Sequence, residues 1–168
     1  MELALIGLGK MGLNMAKRLT KGGHRVIGYA RTKETVDGAV KEGIEGAYSV
    51  EEAVGKLTSS PKAVWVMVPA GATTTETIEK VAALLKPGDI IIDGGNSLFD
   101  DTNRRQKYVE SKGLLYIGTG VSGGEEGARK GTGQGPRQEG ARQEGSGQEG
   151  SRQEVDPSGS LRSGPGVI

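Results

Sequence analysis

The sequence predicts an α/β fold built on a doubly wound parallel sheet, and three observations predict it. An apolar run, residues 2–6, leads at once into Gly7-Leu8-Gly9-Lys10-Met11-Gly12 and then into a helical pattern of Leu13, Met15, Ala16 and Leu19. A second apolar run, residues 25–29, arrives where a βαβ unit of roughly 30 residues should close. Beyond it, strand-like and helix-like stretches keep alternating to about residue 117, the pattern of a parallel sheet with helices on both faces. The expected organisation is a Rossmann-like domain over residues 1–130 and a disordered low-complexity tail over residues 131–168.

Each glycine of the first loop has a physical task. Gly7 makes the tight turn off the strand, Gly9 lets a pyrophosphate approach the backbone, and Gly12 lets the helix pack closely on the strand. An anion would then meet the free N–H groups and the dipole at the helix N-terminus. The spacing alone also suits an ordinary strand-to-helix turn. Its place after an apolar strand and before an amphipathic helix favours a dinucleotide site.

The helix stops at Lys21-Gly22-Gly23-His24. His24 is the sole histidine, and its turn lies on the far side of the unit from the glycine loop, which favours an incidental role. The second strand ends at Tyr29-Ala30-Arg31-Thr32. An NAD binder usually carries Asp or Glu here for the ribose 2′-OH. This chain has Ala30 and Arg31, and a guanidinium pairs with a 2′-phosphate where a carboxylate would repel it, so NADP is favoured over NAD. The alternative is that Arg31 is a solvated loop residue.

Residues 32–43 read as a helix, with Thr32 as N-cap and Gly43 as stop. Ala47 and Tyr48 suggest a very short strand, and Ser49-Val50-Glu51-Glu52 is a capping box before a short helix to about Leu57. Residues 63–68 form a continuous apolar run, as expected of a central strand covered on both faces, with Trp65 in the core. Pro69-Ala70-Gly71 ends it. A helix follows over residues 73–85, a strand over 90–92, and Asp93-Gly94-Gly95-Asn96-Ser97 at that strand's end. Residues 100–112 read as a charged surface helix whose Arg104-Arg105-Gln106-Lys107 run is a solvated face, and residues 114–117 as the last strand. Ligands of such sheets bind beyond the carboxyl ends of the strands, where the loops at Gly7, Ala30, Val68, Asp93 and Ser122 all fall.

Composition narrows the field. The 168 residues suffice for about one domain, and a net charge of +1 gives no electrostatic case for nucleic acid or an anionic membrane. With no cysteine and one histidine there is no disulfide framework and little scope for a histidine metal site. No apolar run approaches the ~20 residues of a membrane span, and the N-terminus reads as a strand, so a soluble cytoplasmic protein is expected.

Three stretches resemble decarboxylating 6-phosphogluconate dehydrogenase. They are residues 7–16, Asp93-Gly94-Gly95-Asn96-Ser97, and Gly118-Thr119-Gly120-Val121-Ser122-Gly123-Gly124-Glu125-Glu126-Gly127-Ala128-Arg129. The first is shared with the wider β-hydroxyacid dehydrogenases such as 3-hydroxyisobutyrate dehydrogenase, the alternative family. The resemblance covers residues 1–130 and implies roles. Gly7, Leu8, Gly9, Met11 and Gly12 would hold the cofactor, Met11 near the nicotinamide. Arg31 and Thr32 would bind the 2′-phosphate of NADP, with Ala30 replacing the family's Asn. Val68, Pro69 and Ala70 would contact the cofactor, and many members carry Lys where this chain has Pro69. Asn96 would touch both nicotinamide and substrate, and Ser122, Gly123 and Gly124 would hold the carboxylate and hydroxyls of 6-phosphogluconate. The implied reaction is oxidation at C3 followed by loss of CO2 to ribulose 5-phosphate.

The resemblance also sets limits. The family's Lys base and Glu acid lie beyond the Ser122-Gly123-Gly124 loop, on a segment this sequence does not contain, so no catalytic residue is assigned here. The helical domain that completes the substrate site and the homodimer is likewise absent. Past Gly131 the family pattern gives way to a five-residue repeat, Arg137-Gln138-Glu139-Gly140-Ala141, Arg142-Gln143-Glu144-Gly145-Ser146, Gly147-Gln148-Glu149-Gly150-Ser151. A period of five fits neither helix nor strand and offers nothing to bury. The expectation is a frameshifted or aberrant ending on a truncated gene, the rival a flexible interaction tail. The functional expectation is a cofactor domain inactive alone, the rival a stand-alone NADP-binding module.

Overall fold

In a computed structural model, which describes residues 1–121 and 127–129, strands and helices alternate. The elements are β1 (Glu2–Ile6), α1 (Lys10–Lys21), β2 (Arg25–Tyr29), α2 (Lys33–Val40), β3 (Glu45–Ala47), α3 (Val50–Gly55), β4 (Ala63–Val66), α4 (Ala72–Ala82), β5 (Ile90–Asp93), α5 (Phe99–Ser111) and β6 (Leu115–Gly118). The strands form one six-stranded sheet in the order β3-β2-β1-β4-β5-β6, every pair parallel. The order reverses between β1 and β4, so the chain winds outward in both directions from the first strand. This is the Rossmann-like doubly wound arrangement that the alternating pattern predicts.

The two faces carry separate cores, because side chains alternate across each strand. On one face Ala4, Ile6, Ile27, Val64, Val66 and Ile91 meet Val50, Ala53 and Val54 of α3, Ile78 and Val81 of α4, and Val109 of α5. On the other, Leu3, Leu5 and Val26 meet Ala16 of α1 and Ala39 of α2. Those two helices pack mainly on β1, β2 and β3, and Ala63, Trp65 and Ile90 of the next strands reach the rim of the same cluster. The helices packed on β4, β5 and β6, α4 and α5, contribute Ile78, Val81 and Val109 to the first face. Trp65, expected in the core, is half-buried at the rim of this second cluster, and Leu115 and Ile117 of β6 are 56% and 49% exposed. The continuous apolar run at residues 63–68 marks a strand buried fully on one face, not on both.

Boundaries shift by small amounts with local causes. The third strand lies at Glu45–Ala47 instead of Ala47-Tyr48, because Ala47 is the last residue paired with β2, opposite Tyr29. Tyr48 turns outward and donates its hydroxyl to Asp37 at 2.7 Å. Helix α2 ends at Val40, and Gly43, at φ +86°, completes the turn. Thr32 occupies the N-cap position of α2 without capping it: its hydroxyl pairs with that of Thr35 at 2.7 Å. Ser49 does cap α3, accepting the Glu52 N–H at 3.0 Å, while the Glu52 carboxylate accepts the N–H of Tyr48 at 2.7 Å. His24 sits in the turn before β2, at the amino edge of the strands, with Nδ1 3.3 Å from the chain's amino terminus. Among the described residues no helix is long and apolar enough to cross a membrane.

Candidate functional site

The register of the sheet brings the loops of interest to one edge. Ile6 stands opposite Tyr29 and Val66, Val66 opposite Asp93, and Asp93 opposite Gly118, so the carboxyl ends of these strands are level. Backbone bonds carry the ladder one residue further: Gly7 N–H to Tyr29 O at 2.9 Å, Met67 N–H to Ile6 O at 2.7 Å, and Gly94 N–H to Val66 O at 2.9 Å. The loops at Gly7, Ala30, Val68 and Gly94 thus leave from a common line.

At the centre is the turn into α1. Gly7 has φ +111°, and a Cβ there would lie 2.3 Å from the carbonyl oxygen of Met67, so no other residue fits. Gly12 presses its own turn against the strand, whereas a Cβ on Gly9 would meet nothing within 4 Å. Gly7 and Gly12 are consumed by packing, and Gly9 faces open space at the head of α1. No side chain caps that helix, and its first turn holds no acidic residue. An anion is the ligand such a terminus accepts. Leu8 is 3% exposed with its side chain in the core, so only its backbone faces the loop. Met11 is half-buried.

To one side, at the end of β2, Arg31 and Thr32 are exposed. Among the described residues no hydrogen bond or ion pair holds the Arg31 guanidinium. Its neighbour Lys33 is engaged, 3.1 Å from Asp37 and over the ring of Tyr48. To the other side, Pro69 and Ala70 are exposed after β4, with Val68 packed beneath them against the core. The loop is tied down by fully buried Thr74, whose hydroxyl donates to Pro69 O at 2.8 Å. Asn96 is exposed beyond β5, on a turn whose Gly95 N–H donates to Asp93 Oδ1 at 2.9 Å. Ser122, Gly123 and Gly124 lie outside the described residues.

Beneath the Asn96 turn lies a cluster that the sequence does not advertise. Asp93 and Arg105 are 1% and 3% exposed, with Arg105 Nε 2.9 Å from Asp93 Oδ2. Tyr116 donates its hydroxyl to the same oxygen at 2.7 Å, and Arg105 Nη1 donates to the Thr75 hydroxyl at 3.3 Å. Burial, then the bond to Asp93, pushes the Tyr116 phenol up, so it remains a donor across ordinary pH. This corrects the reading of Arg104-Arg105-Gln106-Lys107 as a solvated face. Arg104, Gln106 and Lys107 are exposed, but Arg105 shares the inward stripe of α5 with Val109, one turn on. The i, i+4 pairing of Arg105 with Val109, together with an acid closing the neighbouring strand, was the available signal.

Two clefts lie away from this edge. One of about 240 Å³ is lined by Thr75, Ile78, Glu79, Asp101, Arg105 and Tyr108, between α4 and α5. The other, of about 300 Å³, is lined by Met15, Arg18, Leu19, His24 and Trp65. Neither contains a glycine-loop residue. The edge itself is an open shelf of backbone and small side chains, suited to an elongated, phosphate-bearing ligand.

The model for the NAD binding domain of 6-phosphogluconate dehydrogenase matches residues 2–136, ending where the five-residue repeat begins. The decarboxylating 6-phosphogluconate dehydrogenase of Haemophilus influenzae is 47% identical over 135 residues, covering 77% of this chain and 28% of that protein. One from Saccharomyces cerevisiae is 45% identical over 135 residues, covering 77% of this chain and 27% of that protein. The chain thus spans little more than a quarter of the length of the curated relatives it matches. Among solved structures, Plasmodium falciparum 6-phosphogluconate dehydrogenase, studied with NADP+ and with 6-phosphogluconate, superposes with a TM-score of 0.70 at 36% identity, over 77% of this chain and 29% of that one. Mycobacterium tuberculosis 3-hydroxyisobutyrate dehydrogenase gives a TM-score of 0.70 at 30% identity, over 76% of this chain and 43% of that one.

Proposed function

The chain belongs to the family of NAD-binding domains of 6-phosphogluconate dehydrogenase, and from that footing we propose that it binds NADP as the cofactor half of a decarboxylating 6-phosphogluconate dehydrogenase. The observation that carries the choice of NADP is Arg31: exposed, unpaired among the described residues, and with Ala30 beside it where an NAD binder would place an acid. The residues present fit such a ligand. Gly9 leaves room for a pyrophosphate at the head of α1, and that helix end carries no competing acid or side-chain cap.

In this reading Gly7, Gly9 and Gly12, with the backbone of Leu8, form the pyrophosphate cradle. Arg31 and Thr32 take the 2′-phosphate, and Met11, Val68, Pro69, Ala70 and Asn96 flank the nicotinamide end. NADP, when bound, supplies the hydride acceptor. The chain's own part is to bind and orient it, with the Thr74 bond to Pro69 holding one wall and the Asp93 bond to Gly95 the other. Asn96 also reaches toward the phosphorylated sugar acid, with Ser122, Gly123 and Gly124 for its carboxylate and hydroxyls by family resemblance. Turnover needs a lysine base and a glutamate acid that the resemblance places beyond these residues, so the 168 residues bind cofactor without turning substrate over.

A 3-hydroxyisobutyrate dehydrogenase superposes with the same TM-score, so the backbone does not separate the two readings. The higher identity of the 6-phosphogluconate enzyme and the Asp93-Gly94-Gly95-Asn96-Ser97 turn favour the first. The test is titration of the purified chain with NADPH and NADH, with 6-phosphogluconate turnover assayed on the same sample. Tight NADPH binding, weaker NADH binding and no turnover are expected. Equal affinity for the two nucleotides overturns the NADP assignment, and turnover overturns the reading of an incomplete site.

A further inference from the structure

We infer that Arg105, with Asp93 and Tyr116, is a positioning group for the nicotinamide end of the site, although it lies on the outer helix α5 and touches no ligand. The inference rests on the cofactor reading above. The order of strands supplies its geometry. Arg31 leaves from β2, the glycine loop from the neighbouring β1, and Asn96 from β5 on the opposite side of the reversal. A dinucleotide with its 2′-phosphate at Arg31 and its pyrophosphate at the glycine loop extends over β4 and β5. Its nicotinamide end then falls at the Pro69 and Asn96 loops.

Both loops are held from below by the same buried cluster. The Asp93 carboxylate divides its oxygens: Oδ2 accepts from Arg105 Nε at 2.9 Å and from Tyr116 Oη at 2.7 Å, while Oδ1 accepts the Gly95 N–H at 2.9 Å. Two donors on one oxygen fix the plane of the carboxylate, and that plane fixes the peptide just before Asn96. The turn has little slack, since a Cβ on Gly95 would lie 3.0 Å from Asp93 Oδ1 and 3.3 Å from the Thr74 hydroxyl. Arg105 Nη1 reaches across to Thr75 at 3.3 Å, and the adjacent Thr74 holds Pro69 O at 2.8 Å. One guanidinium therefore couples the two loops.

Stability alone is a poor account of this arrangement. A buried ion pair contributes little over well-packed apolar residues, because desolvation offsets its attraction. The planar guanidinium does what an ammonium cannot: it presents donors in fixed directions to two partners at once. A role in shaping the loops explains the placement of charge in a core that Val109 and Ile78 otherwise fill.

The experiment compares two probes of the proposed site on the 168-residue chain. NADPH reads the whole edge, and adenosine 2′,5′-bisphosphate, which lacks the nicotinamide riboside, reads only Arg31 and the glycine loop. Tyr116→Phe and Arg105→Lys are titrated with each, alongside the unaltered protein. Tyr116→Phe removes one hydrogen bond at constant volume, so it remains informative if Arg105→Lys fails to fold. The expected result is a loss of NADPH affinity of about fivefold in Tyr116→Phe, and more in Arg105→Lys, with the bisphosphate constant within about twofold of the unaltered chain. Equal losses for both probes mean general structural damage and overturn the inference, as does no loss for either. If the unaltered chain binds neither probe, the cofactor reading itself fails and the inference with it.

Discussion

A Cβ placed on Gly12 would lie 2.0 Å from the carbonyl oxygen of Gly7, a backbone atom that cannot swing aside. Gly9, three residues earlier on the same loop, has nothing within 4 Å of that position. The shared spacing therefore hides two unlike demands, one made by the fold and one left for a ligand.

Alanine substitutions separate them. Gly12→Ala forces α1 off β1, an overpacking that costs about 1–3 kcal/mol and lowers Tm along with NADPH affinity. Gly9→Ala leaves Tm unchanged, yet places a methyl group where the pyrophosphate approaches, and weakens NADPH binding by about tenfold or more. Thermal melts paired with titrations check both. A Gly9→Ala protein that binds NADPH normally would remove the glycine loop from the site.

Arg31→Asp tests the choice of cofactor. The side chain is exposed, so the melt should not move. Replacing a cation by an anion opposite a 2′-phosphate reverses the interaction, and NADPH affinity should fall by at least about tenfold. NADH, with a hydroxyl at that position, should lose nothing and serves as the internal control. Equal losses for the two nucleotides would show that Arg31 is only a solvated loop residue.

The fold was legible because its signals are local. A strand, a glycine turn and an amphipathic helix announce themselves within a dozen residues, and the alternation that follows leaves a parallel sheet as the natural packing. The loops at Gly7, Arg31, Pro69 and Asn96 were legible because strand ends must share an edge once the strands are parallel and in register. What was not legible depends on contacts distant in sequence. Arg105 reads as one cation in a charged helix until Asp93, 12 residues away, closes over it. Trp65 reads as core because a central strand is usually covered twice, and only the fold shows that it lies at the rim of the α1 side, beside a cleft that Met15 and Leu19 also line. Leu8 reads as a loop residue until Gly28 makes room for its side chain.

Glu2 predicts the acid behaviour of the domain. Its carboxylate accepts the N–H groups of Ser59 at 2.7 Å and Thr58 at 3.0 Å and pairs with Arg25. Burial alone would raise its pKa, but these backbone and hydroxyl donors outweigh burial and hold it at about 2, below the ordinary 4.5. A carboxylate depressed in the folded state stabilises fully above its unfolded pKa and loses that contribution as pH falls through the folded one. Glu2→Gln should therefore melt lower than the unaltered chain at pH 7. The gap should close as pH drops from about 4.5 toward about 2. Melting curves across that range check the sign, and a gap that widens on acidification would contradict it.

Leu115 and Ile117, exposed among the described residues, make the last prediction. Register places Trp65 beside Ile92 and Ile92 beside Ile117, with Ile90 beside Leu115 in the next row. These side chains form an apolar strip on the sheet face that carries α1 and α2, with Trp65 and Ile90 partly buried at the rim of that cluster and Leu115 and Ile117 about half exposed, and among the described residues β6 is also the sheet edge. Exposed apolar area next to an unpaired edge invites association, and lysine on an edge strand is a common defence. Leu115→Lys and Ile117→Lys remove apolar groups that are about half in water already, so each should change stability by no more than about 0.5 kcal/mol. Both should reduce binding of a hydrophobic dye and raise the concentration at which light scattering appears. A large fall in Tm in either variant would mean that the strip is already covered in solution, and that these side chains are packed when the structure leaves them exposed.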